Sequence, residues 1–521
     1  MLRYLFACPF LLVTVFFFYA AAQIVEASGN YVIITTRAIV DSSTELPNLV
    51  NQERDEGYRV ALVTEDEWGA SGADERAENI RAWLKEHYKA DSIRYVLLIG
   101  NPDPLAGDVP MKLCYYDITV ETFLDREIPT DFYYSELSGT WDANGDGYYG
   151  DVNTDYGVSG GADHHSEVSV GRIPYYGVME DLDHIIRKSI DYRNETSREW
   201  RKNALLAMRP THEKTTAYPL GEAIKDSILI PASWNYYRIY DRYNSYADAY
   251  LDELYDFSPP VDRLSATETN MQEAWAGTPF GFCIWWSHGS SPQSVIGIFR
   301  SNRAQYLDDR YPSMVFQVSC SSAFPEDTFN LAYALLRQGA VTVAGPTRET
   351  NSYIGQTSFK DSPSNSGMGY MYAYYMIHDK MSAGDALRTV RDSTSKNHWW
   401  PNILTYSVYG CPDLKLETEP TTLAQIDVPS LHSTRELVVI IDTEKGVCLV
   451  DGAGNTDIEN MILSFYDLSG RLVSRIDGAR SAVHEASIPL PEVVRSSSQT
   501  MIACLQVGKR AVVQSMVRPK R

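Results

Sequence analysis

Cysteine and histidine are scarce in this chain, with seven cysteines and ten histidines among 521 residues. The cysteines are scattered and none follows the CxxC spacing, which excludes a zinc-binding set and a dense disulfide scaffold. One pair, Cys448 and Cys504, shares the last segment and could form a single disulfide. Basic residues are also few, because 46 lysines and arginines face 68 aspartates and glutamates and leave a net charge of −22. That balance argues against nucleic acid or an anionic membrane surface as a partner.

Long apolar runs are absent after the N-terminus. The first residues combine a basic start (MLR), an apolar stretch (YLFACPFLLVTVFFFY) and three small residues, 20–22. This order predicts a secretory signal peptide over residues 1–22, with an uncleaved anchor as the alternative. No later segment approaches the roughly 20 apolar residues of a membrane span, so we expect no transmembrane span after signal cleavage. The expected location is secreted or at the cell surface.

Strand and helix patterns alternate as far as residue 418. YVIITT, YRVALVTE and IRYVLLIG predict strands, ERAENIRAWLKEHYKA predicts a helix, and ADAYLDELY predicts another over residues 247–255. This alternation predicts an α/β fold of mostly parallel sheets flanked by helices, in two subdomains over residues 23–200 and 201–418. Beyond it, short alternating strands predict a small C-terminal β-sandwich over 433–521, joined by a linker over 419–432.

Two polar residues each end a short apolar run that predicts a buried central strand. His288 ends FGFCIWWSH and Cys320 ends PSMVFQVSC, and glycine or serine follows each. Because the carboxyl ends of parallel strands form the ligand crevice of an α/β sheet, we expect the thiol and the imidazole side by side. Taken singly, a buried small hydrophobe and a turn are the commoner interpretations of such a cysteine and such a His-Gly. The pair, on two similar strands, favours a cysteine hydrolase.

The residues beside the pair suit that chemistry. A cysteine nucleophile needs a base that produces the thiolate, and donors that hold the oxyanion. Histidine is suited to the base role because it titrates near neutral pH. Gly289 leaves space for a substrate backbone and offers an unhindered N–H group, and the amide of Cys320 offers a second donor. We therefore predict Cys320 as the nucleophile, His288 as the base, and the amides of Gly289 and Cys320 as an oxyanion hole.

Further blocks stand in order around the pair. WWSHGSS is followed by VFQVSCSSAFPEDTFNLAYALLRQGAVTVAGPTRET, with YVLLIGNPDP and EVSVGRIP before them and YGCPDLKL after. This set, over about residues 29–418, resembles the gingipain family of cysteine peptidases, relatives of caspases, legumain and clostripain. The resemblance implies a caspase-like fold and a secreted cysteine endopeptidase that hydrolyses protein or peptide substrates through an acyl-thioester. The chain departs from the family pattern at Ser287, where glycine is common, and at Cys411, where Gly-Asp-Pro is common.

A third catalytic group and the specificity pocket stay open at this level. A carboxylate orients the imidazole in related peptidases, and Glu222, Asp241 and Asp256 are equal candidates here. The resemblance implies a preference for a basic P1 residue, held by an acidic pocket. The alternative is an apolar pocket lined by tryptophans: Trp285, Trp286, Trp399 and Trp400. For Trp285 and Trp286, packing beside the sheet is the preferred interpretation.

Two other functions remain possible. One is a transpeptidase that acts on exported proteins, since one gingipain relative that belongs to the type IX secretion system acts on sorting signals. The other is a catalytically silent surface protein that binds peptides or adheres. A ligated product would favour the first, and failure of Cys320 to react with a thiol-reactive peptide probe would favour the second.

The segment DANGDGYYGD carries oxygen ligands at the spacing of the first half of an EF-hand loop. The predicted calcium ligands are Asp142, Asn144, Asp146, the carbonyl of Tyr148, and Asp151. Position 12 carries Asn153 instead of glutamate, so Asp131 is an alternative to Asp151 in completing the shell. A turn without metal is the competing interpretation, and the match to gingipain relatives, which use calcium structurally, favours Ca²⁺. His164 and His165 lack the partner spacing of a zinc site.

The C-terminal segment contains FYDLSGRLVSRI, CLQVGKRAVVQSMV and the basic end RPKR. These residues resemble the sorting domains of proteins exported by the type IX secretion system. The resemblance implies that the secretion machinery is a partner of this chain. An ordinary accessory β-sandwich is the alternative.

Overall fold

The computed structural model describes residues 30–417 and the strands beyond residue 437. Within 30–417 the gaps are 70–71, 118–126, 251–260, 264, 292 and 394–398. The predicted signal peptide, the predicted linker and Asp256 lie outside the described residues. The chain divides into two compact units, Met1–Pro420 and Thr421–Arg521.

The first unit alternates strands and helices along the chain. Its strands are β1 (Asn30–Ile34), β2 (Arg59–Val63), β3 (Ile93–Gly100), β4 (Lys112–Tyr115), β5 (Glu127–Thr130), β6 (Ser169–Pro174), β7 (Asn203–Met208), β8 (Asn235–Tyr240), β9 (Tyr243–Asn244), β10 (Ala249–Tyr250), β11 (Phe282–Trp286), β12 (Gly289–Ser291), β13 (Ser294–Val295), β14 (Phe299–Arg300), β15 (Ser313–Val318), β16 (Ala340–Pro346) and β17 (Tyr406–Tyr409). Its helices are α1 (Arg37–Ser42), α2 (Leu46–Asp55), α3 (Glu65–Trp68), α4 (Ala73–His87), α5 (Phe132–Ser135), α6 (Met179–Asn194), α7 (Tyr218–Ile224), α8 (Glu268–Gly277), α9 (Leu331–Arg337), α10 (Asn365–Ile377), α11 (Ala383–Asp392) and α12 (Trp400–Thr405).

One ten-stranded sheet runs through the first unit, in the order β2-β1-β3-β6-β17-β16-β15-β11-β7-β8. Neighbouring strands are parallel except β16 and β17, which pair antiparallel. The sheet therefore consists of two parallel blocks that run in opposite directions, and the carboxyl ends of the second block (β16, β15, β11, β7, β8) share one edge. The predicted α/β fold with a mostly parallel sheet is confirmed. Helices flank the sheet, as parallel crossovers require.

The central strands are mostly apolar because both of their faces are covered. In β1, Tyr31 and Ile33 belong to one buried cluster, whereas Val32 and Ile34 belong to another. Alternate residues thus pack against helices on opposite sides. This is why the runs that flank His288 and Cys320 contain so few polar residues. Trp285 and Trp286 are both buried in the first cluster, which confirms the packing interpretation for them.

The helix predicted over residues 247–255 is wrong at its start. Ala249–Tyr250 forms a short strand that pairs antiparallel with Tyr243–Asn244. Asp248, between the two strands, has a φ of 50°, and its carboxylate accepts a hydrogen bond from the Tyr243 hydroxyl. A tight turn closed by these two side chains outweighs the helical spacing of the apolar residues.

The second unit contains two antiparallel sheets. Its strands are β18 (Val438–Asp442), β19 (Val447–Asp451), β20 (Met461–Tyr466), β21 (Leu472–Asp477), β22 (Ala486–Pro489), β23 (Met501–Val507) and β24 (Arg510–Val517). One sheet has the order β18-β19-β22 and the other β21-β20-β23-β24. The side chains of Cys448 and Cys504 lie outside the described part, so their pairing stays a prediction. No helix within the described residues has the length and apolarity needed to cross a membrane.

Candidate active site

The pairing of β11 with β15 brings His288 and Cys320 to the same edge of the sheet. The two strands are parallel, and Trp286 is the register partner of Val318. His288 and Cys320 each stand two residues beyond that pair. Ser287 continues the ladder by donating its N–H to the Val318 carbonyl at 3.1 Å. The predicted meeting of the two strand ends is therefore seen in the structure.

Gly289 lies directly against the backbone of Cys320. A Cβ atom at position 289 would lie 1.9 Å from the Cys320 carbonyl oxygen and 3.0 Å from the Cys320 nitrogen. No side chain fits in that space, so glycine is required there. The two backbone segments whose amides were predicted to hold an oxyanion are thus in contact.

His288 is oriented by a backbone carbonyl. Its Nε2 atom lies 2.7 Å from the carbonyl oxygen of Thr211, in the loop after β7. Because a carbonyl can only accept, Nε2 carries the proton and Nδ1 has the free lone pair of the neutral imidazole. The ring of Tyr246 lies 6.2 Å from the His288 ring, centroid to centroid. The structure therefore leaves Nδ1 as the nitrogen that can accept a proton.

The loop that presents the Thr211 carbonyl is closed on itself. Thr211 donates its N–H to the Thr215 carbonyl, and Thr215 donates to the His212 carbonyl, both at 3.0 Å. Asn244, which is fully buried, donates from Nδ2 to the carbonyl of Glu213 at 3.1 Å. We call residues 209–217 the histidine loop. These hydrogen bonds hold the Thr211 carbonyl in place, and that carbonyl in turn orients the His288 imidazole.

A second loop holds Cys320. The sulfur lies 3.8 Å from both the carbonyl oxygen and the hydroxyl of Thr350, in the segment after β16. The next residue, Ser321, has a φ of 51°, a conformation that residues other than glycine rarely adopt. Ser321 donates its N–H to the Arg348 carbonyl at 3.0 Å. Strain at the residue after the thiol is thus balanced by a hydrogen bond from the neighbouring strand end.

The Arg348 side chain contacts a carboxylate, a backbone carbonyl and an aromatic ring. Its guanidinium forms two hydrogen bonds with Glu326, at 2.6 and 3.2 Å, and donates to the Glu127 carbonyl at 3.0 Å. The guanidinium carbon lies 4.0 Å from the centroid of the Phe324 ring. Phe324 and Glu326 follow Cys320 in the chain and Glu127 begins β5, so one side chain connects the segment after Cys320 to the two-stranded sheet of β4 and β5.

Cys320 differs from the other cysteines of the first unit. Cys114, Cys283 and Cys411 are buried, whereas Cys320 is partly exposed. Burial raises the pKa of the Cys411 thiol to about 12 and raises that of Cys283 further. A buried neutral thiol is a poor nucleophile. Among the cysteines that the structure describes, Cys320 alone has the access that substrate chemistry needs.

The candidate carboxylates for a third catalytic group have other partners. Glu222 accepts hydrogen bonds from Lys225, Arg238 and Tyr240; burial alone would raise its pKa, but these bonds lower it. Asp241 pairs with Arg209 at 2.9 Å, and burial raises its pKa despite that cation. The group that the structure shows on the His288 imidazole is the Thr211 carbonyl, which sequence reasoning missed.

The sequence model of peptidase family C25 matches residues 25–417, which include both strands, both loops and the pair. The chain belongs to peptidase family C25. It is therefore a cysteine-type endopeptidase with protein substrates, and the gingipain resemblance of its sequence blocks is confirmed.

Solved structures agree on the fold. The crystal structure of the Arg-specific cysteine proteinase gingipain R (RgpB) matches with a TM-score of 0.56 and 17% sequence identity, over 95% of this chain and 98% of that chain. A complex of the pro- and mature domains of Porphyromonas gingivalis RgpB matches with a TM-score of 0.55 and 17% identity, over 94% and 100%. No curated protein sequence matches the chain.

In this C25 peptidase the predicted calcium loop is held by its own side chains. Asp142 accepts the N–H groups of Asp146 and Gly147, at 3.0 and 3.2 Å, and Asp146 accepts that of Tyr148 at 2.9 Å. Asn144 donates from Nδ2 to Asp146 at 2.7 Å. The oxygens predicted as ligands therefore turn inward on one loop.

Asp155, which was not among the predicted ligands, also accepts hydrogen bonds from the backbone of this loop. It is fully buried and accepts the N–H groups of Ala143, Gly150 and Asp151 at 2.8–3.1 Å. Burial raises its pKa, and the charges of Asp142 and Asp146 raise it further. The loop thus gathers negative charge that a cation would offset.

The remaining candidate ligands have their own contacts. Asp151 is fully buried and accepts the N–H of Asn153 at 2.7 Å, and Asp131 forms a buried ion pair with Arg172 at 2.6 Å. Over the described residues, no cluster of three or more His, Cys, Asp or Glu side chains could hold a metal. A calcium ion would therefore depend on the Asn144 amide and on backbone carbonyls as well as on carboxylates. This donor chemistry suits Ca²⁺.

The rule for strand ends could also have placed the histidine loop at the site. β7 is the parallel neighbour of β11, with Met208 opposite Trp286. Its carboxyl end therefore lies at the same edge as His288, and the residues that follow it, RPTHEKTT, belong to the site by the same argument that placed the cysteine.

Proposed function

We propose that this C25 peptidase hydrolyses peptide bonds with Cys320 as the nucleophile and His288 as the base. The main support for the proposal is the register of β11 and β15. Trp286 pairs with Val318, and His288 and Cys320 each follow two residues after that pair. The partial exposure of Cys320 and the fixed tautomer of His288 support the same roles.

The reaction follows from these groups. Nδ1 of His288 takes the thiol proton, and the Cys320 sulfur attacks the carbonyl carbon of the scissile bond. The amides of Gly289 and Cys320 stabilise the oxyanion, each donor being worth roughly 10²–10³ in rate in measured cases. The imidazolium then gives its proton to the leaving amine, which breaks the C–N bond and leaves an acyl-thioester. Water, deprotonated by the same imidazole, hydrolyses the thioester and restores the thiol.

The preference for a basic P1 residue stays a prediction from the family resemblance. One relative of known structure is named as Arg-specific, and this chain is acidic. The transpeptidase alternative uses the same acyl-thioester, with an amine in place of water as the acceptor. The silent peptide-binding alternative is opposed by the accessible thiol of Cys320.

Structural Ca²⁺ is proposed for the loop that begins at Asp142. The ligands would be Asp142, Asn144, Asp146 and the Tyr148 carbonyl, with Asp151 as predicted. The charge gathered around Asp155 supports a cation there. The ion would stabilise the fold without taking part in the peptidase reaction.

Export is proposed from the two ends of the chain. The apolar N-terminal stretch is read as a signal peptide over residues 1–22, and the C-terminal strands are read as a type IX sorting domain. The protein would then be secreted or held at the cell surface, with the secretion machinery as its partner.

A peptide library tests the central proposal. The full chain is incubated with the library and the cut sites are read by mass spectrometry, so that activity and P1 preference are measured together. The Cys320→Ala variant should give no cuts. Full activity in that variant would refute the assignment, and ligated products would favour the transpeptidase.

A further inference from the structure

Four large apolar side chains are exposed around His288 and Cys320. Tyr246 is 50% exposed, Ile296 38%, Tyr353 40% and Ile354 64%. We propose that these four residues form a substrate-binding rim that selects peptides with apolar side chains next to the scissile bond. This inference rests on the proposed function, because it assigns a substrate class to the same site. The four residues are called the apolar rim below.

Two members of the rim lie on the His288 side. The ring centroid of Tyr246 is 6.2 Å from that of His288. Ile296 donates its N–H to the His288 carbonyl at 2.7 Å. The Tyr246 ring therefore lies near the imidazole, and the backbone of Ile296 is bonded to that of His288.

The other two members bridge the two catalytic loops. The segment 350–355 starts at Thr350, which contacts the Cys320 sulfur, and ends at Gly355, which donates its N–H to the Thr215 hydroxyl at 2.8 Å. Thr215 belongs to the histidine loop. Tyr353 and Ile354 stand between these two anchor points, so the segment passes from the nucleophile to the base with its apolar side chains exposed.

The Tyr353 side chain is held in place by its neighbours. It can therefore serve as a preformed binding surface. Trp399 donates from its indole nitrogen to the Tyr353 hydroxyl at 3.1 Å, and the two rings lie 4.6 Å apart. Trp399 is 5% exposed. A fixed aromatic ring loses little conformational entropy when a ligand packs on it.

Two carboxylates in segments next to the site are paired with arginines. Asp241 binds Arg209 at 2.9 Å, and Glu326 binds Arg348 at 2.6 Å. Paired carboxylates attract a basic side chain only weakly, since the attraction is offset by the neighbouring guanidinium. These two carboxylates therefore compete little with the apolar contact of the rim, which favours apolar substrate side chains.

The experiment compares two peptide series and two matched variants of the full chain. The peptides share one P1 residue and carry either Leu and Phe or Ser and Gly at P2 and P1′. Ile354→Asp changes the most exposed member of the rim. Ile230→Asp is the control, because Ile230 is 51% exposed and precedes the amino end of β8, whereas the site lies at the carboxyl ends of the strands. We expect Ile354→Asp to lower kcat/KM for the apolar series by about tenfold, as expected when the contact of one apolar side chain is lost. For Ile230→Asp we expect less than about a twofold change with both series, since no such contact is lost. For Ile354→Asp we expect a smaller drop with the Ser/Gly series than with the apolar series.

A binding measurement separates this inference from the proposed chemistry. With Cys320→Ala, fluorescence polarisation should show tighter binding of the apolar series than of the Ser/Gly series, without any turnover. Apolar binding without cleavage by the wild type would leave the rim intact and refute the peptidase dyad. Equal binding of both series, or equal effects of Ile354→Asp and Ile230→Asp, would overturn the rim.

Discussion

The structure holds the two side chains of the proposed dyad, His288 and Cys320, in different ways. His288 is fixed through its ring, because Nε2 donates to a carbonyl of the histidine loop. Cys320 is fixed through its backbone, because the left-handed Ser321 next to it is bonded to the Arg348 carbonyl. The first arrangement is braced by a buried neutral amide, Asn244, and the second by an ion pair.

The difference follows from what each residue must do. A base needs one defined tautomer, which a single acceptor at the correct nitrogen provides. A nucleophile needs its sulfur at a defined distance from the oxyanion donors. In the proposed mechanism the amide of Cys320 is one of these donors, so the backbone itself must be fixed. Variants that loosen either brace should therefore affect catalysis through different steps.

The largest effect is expected from the side chains themselves. Cys320→Ala should remove detectable hydrolysis, and His288→Ala should lower kcat by about 10²–10⁴-fold, the range for general acid–base groups. Iodoacetamide labelling of the folded protein checks the same pair, since Cys320 should react while Cys283 and Cys411 react only after unfolding. The buried Cys283 serves as the control, with Cys283→Ala retaining activity. Rapid labelling of Cys283 in the folded chain would contradict the structure.

Arg348→Ala should have the next largest effect. It leaves Glu326 without its partner and removes the stacking on Phe324, which we expect to cost about 2 kcal/mol in the free energy of unfolding. It should also lower kcat by about tenfold with KM nearly unchanged, because the strained turn beside the nucleophile relaxes. Urea denaturation and steady-state kinetics at a temperature well below the melting midpoint measure the two quantities separately.

Arg337→Ala is the matched control for Arg348. Arg337 also pairs with a carboxylate, Asp181 at 3.1 Å, and also lies over aromatic rings, but it is on α9 away from the thiol. It should lose stability without a change in kcat. If both variants lose kcat equally, Arg348 has only a structural role, and partial recovery of kcat in Arg348→Lys would argue against that.

Asn244→Ala tests the other brace. The variant removes the donor to the Glu213 carbonyl, and we expect a loss of about 1 kcal/mol in stability. We also expect about a threefold to tenfold drop in kcat, because the Thr211 carbonyl is less well placed to fix the tautomer. Nitrogen-15 NMR of His288 gives a direct readout, since a mixture of tautomers should replace the Nε2–H form. A single unchanged tautomer together with a lower kcat would contradict this role.

Local patterns predicted much of this arrangement. The apolar runs before His288 and Cys320 predicted buried parallel strands, and the rule for strand ends brought the two residues together. The reversal between β16 and β17 was not predictable, because four residues, Tyr406–Tyr409, show no direction in their composition. The contact of Thr211 with His288 was also missed. The strand-end rule places the residues after β7 at the edge of the sheet, but no local pattern states that β7 lies beside β11. The hairpin at Tyr243–Tyr250 was missed because a turn fixed by Asp248 has no periodic signature.

The smallest expected effect concerns the loop at Asp142, where stability depends on charge and not on a catalytic group. Burial and the charges of Asp142 and Asp146 raise the folded-state pKa of Asp155. A raised carboxyl pKa makes the folded state less stable above that pKa, and the penalty is relieved as the pH falls through it. Bound Ca²⁺ should relieve the same penalty at neutral pH, so the melting midpoint should rise with calcium and fall with chelator. Asp146→Asn removes one charge, and we expect about 0.5 kcal/mol of added stability in chelator together with a smaller response to calcium. If the melting midpoint does not change with calcium in either the wild type or the Asp146→Asn variant, the loop is an Asp/Gly turn without metal.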